Sequence, residues 1–341
     1  MHALQDAVDL VLTVVTTGGE RAGDVNEERL PALSAGGDRL KSAVPEEGGE
    51  LGRAVERGSP HVVAFRSLHP CDDTCRSMPD EPKTWHYGLV ARWWAEFNVA
   101  SPTELAYYRA IIERYGQPAL DLACGTGRLL IPLLRAGLDV DGCDVSPDML
   151  ALCREQAARE GLEPRLFTRA SDELDLPRAY RTIYICDSFG LAGGAEAMRR
   201  CYQQLAPRGA LVFNVSLPYA EADRWNCWLP EYRRTLPEAW PETSDRKRAS
   251  NGDEIELRSR RLDLDPLEQV WTREIRATLW RGGEVVREEI HTMREKAFFR
   301  NELLVLLARA GFVDVAVSGG YDDREAKGED LMLVFLARKA S

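Results

Sequence analysis

The chain has 341 residues, enough for one large domain with an insertion or for two modest domains. Its 44% hydrophobic content permits a full core, and its formal net charge of −11 disfavours general attraction to a nucleic-acid backbone. No run of about 18 apolar residues is present. The short apolar stretch 8–15 lacks the basic start and small-residue cleavage site of a signal peptide. The eight cysteines are scattered rather than framed. The expectation is a cytoplasmic protein with reduced thiols, no membrane span and no nucleic-acid partner.

Residues 1–77 differ in composition from the rest. They hold 9 of the 27 glycines but only one (Phe65) of the chain's 27 Phe, Trp and Tyr residues. With so few large apolar anchors the segment cannot offset the entropy of ordering, and it reads as a largely disordered extension. Cys71 and Cys75, with His69 nearby, form a CxxxC pair without a second pair, which reads as a polar loop rather than a metal site. Met78 is a candidate natural start, so residues 78–341 are expected to form the functional domain. Two helices are predicted at 87–98 and 102–115, the second opened by Ser101 as N-cap, Pro102 at N1 and Glu104 at N3.

The stretch PALDLACGTGRLLIPLLRAGLDVDGCDVSPDM (118–149) is a strand–turn–helix–strand unit. An apolar run ends in Asp121, and the turn Cys124-Gly125-Thr126-Gly127 follows. A helix is predicted over 128–135, and a second strand leads to Asp144. The two glycines remove side chains that would hold a ligand off the backbone, and the amides of Gly127 and Arg128 open a helix toward a negative group. Asp144, at the end of the second strand, is placed to accept both hydroxyls of a ribose. A dinucleotide fingerprint needs a third glycine where this chain has Leu130. Asp121 would also sit badly beside a pyrophosphate, whereas it suits a cofactor with an ammonium group and a sulfonium.

Further along, Ser146 and Pro147 start a helix reaching about residue 160. A short strand at 165–168 runs into the polar loop Ala170-Ser171-Asp172. A fourth strand at 182–186 ends in Asp187, and a helix (194–205) and a fifth strand (210–215) follow. From residue 218 the pattern changes to long alternating strands at 254–262, 269–280 and 284–294, with Arg281-Gly282-Gly283 as a hairpin turn. This reads as an antiparallel meander inserted as a cap over 217–295. A helix at 301–310 and strands at 312–317 and 331–337 complete the chain.

The unit DLACGTG…CDVS resembles motif I and the following acidic loop of class I S-adenosylmethionine-dependent methyltransferases. The run RNELLVLLARAGFVDVAV…LMLVFLARK resembles the C-terminal end of the small-molecule members. The resemblance covers about residues 84–339. It implies a Rossmann-like α/β fold, a doubly wound sheet of seven strands with an antiparallel final strand, plus the β cap. It implies S-adenosylmethionine as cofactor and a small molecule as methyl acceptor at N or O. It places Gly125 and Gly127 beside the methionine part, Asp121 at its amino end and Asp144 on the ribose. Val145 and Met149 flank the adenine, with Asp172 and its neighbour Ser171 against the adenine amino group. Tyr87 becomes a candidate contact to the cofactor carboxylate. Asp187 and His291 are the candidate catalytic groups for positioning or deprotonating the acceptor. Arg260, Arg273 and Arg276 of the meander are either solvated charges or readers of an acidic acceptor. The fourth strand lacks the Asp/Asn-Pro-Pro-Tyr/Phe of amino-methylating nucleic-acid enzymes. Two other readings stand beside this one: a nicotinamide-dependent oxidoreductase, opposed by Leu130 and Asp121, and a non-catalytic cofactor-binding protein.

Overall fold

The computed structural model describes residues 86–322 and 324–341. The expectations for residues 1–77, including the Cys71/Cys75 pair and Met78, lie outside the described residues.

Seven strands make one sheet: β1 (Ala119–Leu122), β2 (Val140–Asp144), β3 (Leu166–Thr168), β4 (Tyr180–Ile185), β5 (Leu205–Ser216), β10 (Phe312–Ser318) and β11 (Met332–Lys339). Their spatial order is β10-β11-β5-β4-β1-β2-β3. The β1, β2, β3, β4 and β5 neighbours pair in parallel, whereas β11 runs antiparallel to both β5 and β10. The chain starts in the middle at β1, winds outward through β2 and β3, then returns past β1 to β4. The crevice at that reversal, outside the carboxyl ends of β1, β2 and β4, is where open α/β sheets bind ligands. Strands β1 and β2 are buried along their whole length, as strands of a parallel sheet covered on both faces are.

Helix α1 (Gly88–Phe97) comes first; the faces of the sheet are covered by α2 (Pro102–Tyr115), α3 (Leu130–Arg135), α4 (Pro147–Arg159), the short α5 (Phe189–Ala192), α6 (Ala195–Gln204) and, after the insertion, α9 (Arg300–Ala310). The predicted capping box at α2 is present, with Ser101 and Glu104 side chains each accepting the other's backbone amide. One apolar cluster lies under α6 and α9, around Leu205, Phe213, Leu303 and Phe335. The other lies under α2 and α3, around Tyr108, Leu130 and Tyr184.

The insertion begins with two short helices, α7 (Ala222–Asn226) and α8 (Pro230–Arg233). It continues into a second sheet of four antiparallel strands: β6 (Asp245–Arg248), β7 (Glu254–Asp265), β8 (Val270–Arg281) and β9 (Glu284–Lys296). The short strand β6 was not expected from sequence, because its four residues Asp-Arg-Lys-Arg carry no apolar alternation. Gly282 and Gly283 both take positive φ, as a two-residue hairpin of the primed type needs. One face of this sheet packs on α1 through Leu89, Val90 and Trp93 against Ile255, Leu257, Ile275, Ala277 and Leu279. Helix α1 is thus held between α4 and the cap sheet.

Candidate active site

Four of the sequence-selected residues meet at the carboxyl ends of β1 and β2. The Gly125 amide donates to Asp144 Oδ2 and the Ser146 amide to Asp144 Oδ1, each at 2.8 Å. The carboxylate is thereby fixed by backbone on both oxygens. Each oxygen retains a lone pair, so the group can still accept two hydroxyls of a vicinal diol. Burial raises the Asp144 pKa, opposed by these amides. Gly125 itself has φ +55, a conformation other L residues adopt at a cost. Met149 closes in below the turn, with its methyl 3.4 Å from where a Gly125 Cβ would stand.

Two details differ from the sequence reading. Helix α3 begins at Leu130 rather than 128, because the Gly127 amide is spent inside the turn, donating to Cys124 O at 2.9 Å. That amide is therefore engaged in the turn rather than turned toward an anion. Gly127 also serves packing: a Cβ there would lie 2.6 Å from Cys153 Sγ and 3.0 Å from Ile131. The place of the missing third glycine is explained by Gly142 on β2. A Cβ on Gly142 would come within 2.6 Å of Leu166 and 2.7 Å of Leu130. The strand, not the turn, supplies the room that lets Leu130 bring the helix close.

Asp121, at the end of β1, is only 3% exposed. Burial pushes its carboxyl up to about 8, although the neighbouring Tyr184 hydroxyl and Arg128 favour the ionised form. Val145 is half-buried beside Asp144. Ser171 and Asp172 lie in a single 3-10 turn after β3. Asp172 is exposed, while the Ser171 hydroxyl donates to Ala192 O at the end of α5.

Tyr87 immediately precedes α1, and the chain around it is pinned to the rim next to Asp144. The Ser146 hydroxyl donates to His86 O, and the Gly88 amide donates to Asp148 Oδ2 at 2.8 Å. The Tyr87 ring stands 4.1 Å from the ring of His291 on β9. His291 is 1% exposed and shares a 2.9 Å hydrogen bond between Nε2 and Glu289 Oε2. Glu289 also accepts the Leu89 amide at 2.8 Å. The imidazole is therefore enclosed in a clasp joining cap and N-terminal helix, rather than open to a cleft. His86 lies within the same clasp, and burial pulls its imidazole down to about 3.

Asp187 is equally occupied. Its Oδ2 accepts from Arg128 Nη2 at 2.9 Å, its amide donates to Asn214 Oδ1 at 2.8 Å, and its Oδ1 accepts from Asn214 Nδ2. These contacts hold Asp187 at φ +54, a strained backbone conformation for a non-glycine residue. Arg128 also pairs with Glu104, so one guanidinium, 10% exposed, bridges two carboxylates and approaches Cys186 Sγ at 3.3 Å. Glu104, Cys186 and Asp187 stand close enough to hold a metal ion, but Arg128 already supplies the cation there. Sequence reasoning missed the Arg128 side chain as a member of this site. The signal available was a charged residue directly after the glycine turn, where α3 packs inward.

The cap reaches this rim at its other end too. A Cβ on Gly190, in α5 just past β4, would fall 2.8 Å from Glu295 Cγ of β9. Strand β9 therefore spans from the Tyr87 side to the Gly190 side of the strand ends. Arg260 and Arg276 lie on the far face of the cap sheet, bracketing the Trp240 ring at 4.5 and 4.2 Å. Arg273 lies on the near face.

A strand order that reverses at β1/β4, an antiparallel last strand and an acid beside a glycine turn give the Rossmann-like frame of the class I S-adenosylmethionine-dependent methyltransferases that the sequence resembles. Residues 119–209 match the family model described as a methyltransferase domain. Over 132 residues the chain is 37% identical to the demethylmenaquinone methyltransferase of Thermus thermophilus, covering 37% of this chain and 59% of that protein. In fold it is similar to an S-adenosylmethionine-dependent methyltransferase from Clostridium acetobutylicum, with TM-score 0.56, 16% identity, and 74% and 98% of the two chains covered. It is likewise similar to the sugar N-methyltransferase KedS8 from Streptoalloteichus sp., with TM-score 0.55, 19% identity, and 81% and 100% covered. The chain spans 58%, 59% and 57% of the length of the first curated relatives it matches. Among the described residues no helix is long and apolar enough to cross a membrane.

Proposed function

We propose that this chain transfers the methyl group of S-adenosylmethionine to a nitrogen or oxygen of a small-molecule acceptor, in the cytoplasm, without nucleic acid or membrane as partner. The observation that supports the reading is the Gly125–Asp144 pair, a backbone-fixed carboxylate at the carboxyl end of β2 with the acceptor capacity a ribose diol needs. In this reading Asp144 holds the ribose, Val145 and Met149 flank the adenine, and Asp172 faces the adenine amino group. Asp121 and Tyr87 hold the amino-acid end. The cofactor supplies an electrophilic methyl on a sulfonium, and the protein's part is orientation and exclusion of water.

Of the two acceptor atoms, nitrogen is favoured. A hydroxyl acceptor needs a base within hydrogen-bond reach. Asp187 is ion-paired with Arg128, and His291 is enclosed with its Nε2 on Glu289. A neutral amine needs only alignment and desolvation. Asp187 then acts by positioning, through the backbone conformation it holds at the end of β4. The quinone methylation in the name of the Thermus thermophilus relative and the sugar nitrogen in that of KedS8 are both compatible with the frame.

The test is calorimetry with S-adenosylmethionine, S-adenosylhomocysteine and NAD, followed by transfer of a labelled methyl to a panel of amines and hydroxyl compounds. Binding of NAD in place of the sulfonium would sink the reading. Sulfonium binding without transfer to any acceptor would recast the chain as a non-catalytic cofactor-binding protein.

A further inference from the structure

Building on the methyl-transfer reading, we propose that the near face of the cap carries an oxyanion subsite centred on Arg273, so that the acceptor is a small molecule bearing a carboxylate or phosphate. Strand β8 alternates, and its register places Arg273 beside Arg261 of β7 and Met293 of β9. This is the face that carries Trp271 at one end and Ile275 and Ala277 against α1 at the other. A third guanidinium, that of Arg224 on α7, acts on Arg273 electrostatically together with Arg261.

The three cations differ in how they are compensated. Arg261 has Glu238 at 3.1 Å and the Tyr232 hydroxyl at 2.8 Å. Arg224 has Glu221 at 3.0 Å. Arg273 has no carboxylate oxygen within 4.0 Å among the described residues, and its Nε is enclosed with no hydrogen-bond partner. Its ring neighbour, Trp271, is 6.0 Å away. Burial pulls its pKa below the ordinary value, and Glu295 acts in the opposite sense. A guanidinium with an enclosed, unpartnered Nε and no ion pair is costly, and an anion that docks on it recovers part of that cost. The planar fork of arginine matches the two oxygens of a carboxylate or phosphate.

Position supports the same assignment. Glu295, the acid that acts on Arg273, packs against Gly190 at the carboxyl end of β4. An anion held by Arg273 would leave the rest of the acceptor directed toward the strand ends. Arg276, three residues along on the opposite face, is a natural control. It too has an enclosed, unpartnered Nε and no ion pair among the described residues, but its guanidinium stands 4.2 Å from the centre of the Trp240 ring on the other face.

The experiment titrates inorganic phosphate, and separately acetate, into the full chain saturated with S-adenosylhomocysteine, followed by calorimetry. Wild type is expected to bind one of the two, phosphate preference marking a phosphorylated acceptor and acetate preference a carboxylated one. Arg273→Gln is expected to weaken that binding at least about tenfold, as loss of a charge-assisted hydrogen bond does. Arg273→Lys, which keeps charge but loses the fork, should fall between, and it serves as the readout if the Gln variant fails to fold. Arg276→Gln should match wild type. Binding that is equal in wild type and Arg273→Gln, or absent from wild type, overturns the subsite. A chain that binds the anion through Arg273 but neither S-adenosylmethionine nor its product overturns methyl transfer and leaves the subsite standing.

Discussion

The rim of the central sheet and the near face of the cap handle charge in opposite ways. At the rim four acids at or beside the strand ends are answered from within the chain. Asp144 is answered by two backbone amides, Asp187 and Glu104 by one arginine, and Asp121 by retaining its proton. On the cap Arg273 is left without an ion pair among the described residues. A rim that is balanced when empty suits a cofactor of fixed structure. A face with one charge lacking an ion pair suits a ligand that brings a partner for it.

The sharpest break in this contrast is Arg128→Met, which leaves Glu104 and Asp187 enclosed without a cation. Stability should fall by about 3–5 kcal/mol, read as the loss of denaturation midpoint. A drop below about 1 kcal/mol would mean the rim is not balanced by this residue. Gly142→Ala tests the packing that brings Leu130 against β2. Its Cβ would stand under 3 Å from three side chains, and overpacking of this kind costs about 1–3 kcal/mol. Asp144→Ala should weaken cofactor binding by about 1–3 kcal/mol while leaving the fold intact. An unchanged dissociation constant in calorimetry would remove Asp144 from the ribose role.

A further effect is a pH dependence. Because its folded pKa is raised to about 8, Asp121 contributes stability that is fully present below the ordinary carboxylate range. That contribution is lost as pH rises through about 8. A cationic cofactor prefers the ionised carboxylate, so its affinity should climb from neutrality up to about 8 and then level off. Asp121→Asn should flatten both profiles, and a slope that survives the substitution would assign the titration elsewhere.

What sequence made legible follows from distance along the chain. The Asp121–Asp144 unit is local, so its strand, turn, helix and second strand could be read from pattern alone, and the Gly125–Asp144 bond closes over only 19 residues. The Arg128–Asp187 pair closes over 59 residues and depends on β4 lying beside β1, which no local pattern states. In the cap, period-2 alternation separates Arg273 from Arg276 but does not say which face is covered. That depends on α1 packing against residues 255–279. The same long-range packing encloses His291, whose place inside the alternating run 284–294 gave no hint of the Tyr87 ring against it.

The clasp between α1 and β9 also bears on how the chain is made. The Leu89 amide and the Glu289 carboxylate that joins it are 200 residues apart. Trp93 and Leu89, at 1% and 4% exposure in the finished fold, are synthesised long before the strands that cover them. While the ribosome makes β1 to β5, this helix presents a bare apolar stripe, the kind of surface that chaperones hold and that aggregation exploits. The final strands of the cap therefore do more than shape a pocket: their arrival ends the vulnerable period of a helix made near the beginning.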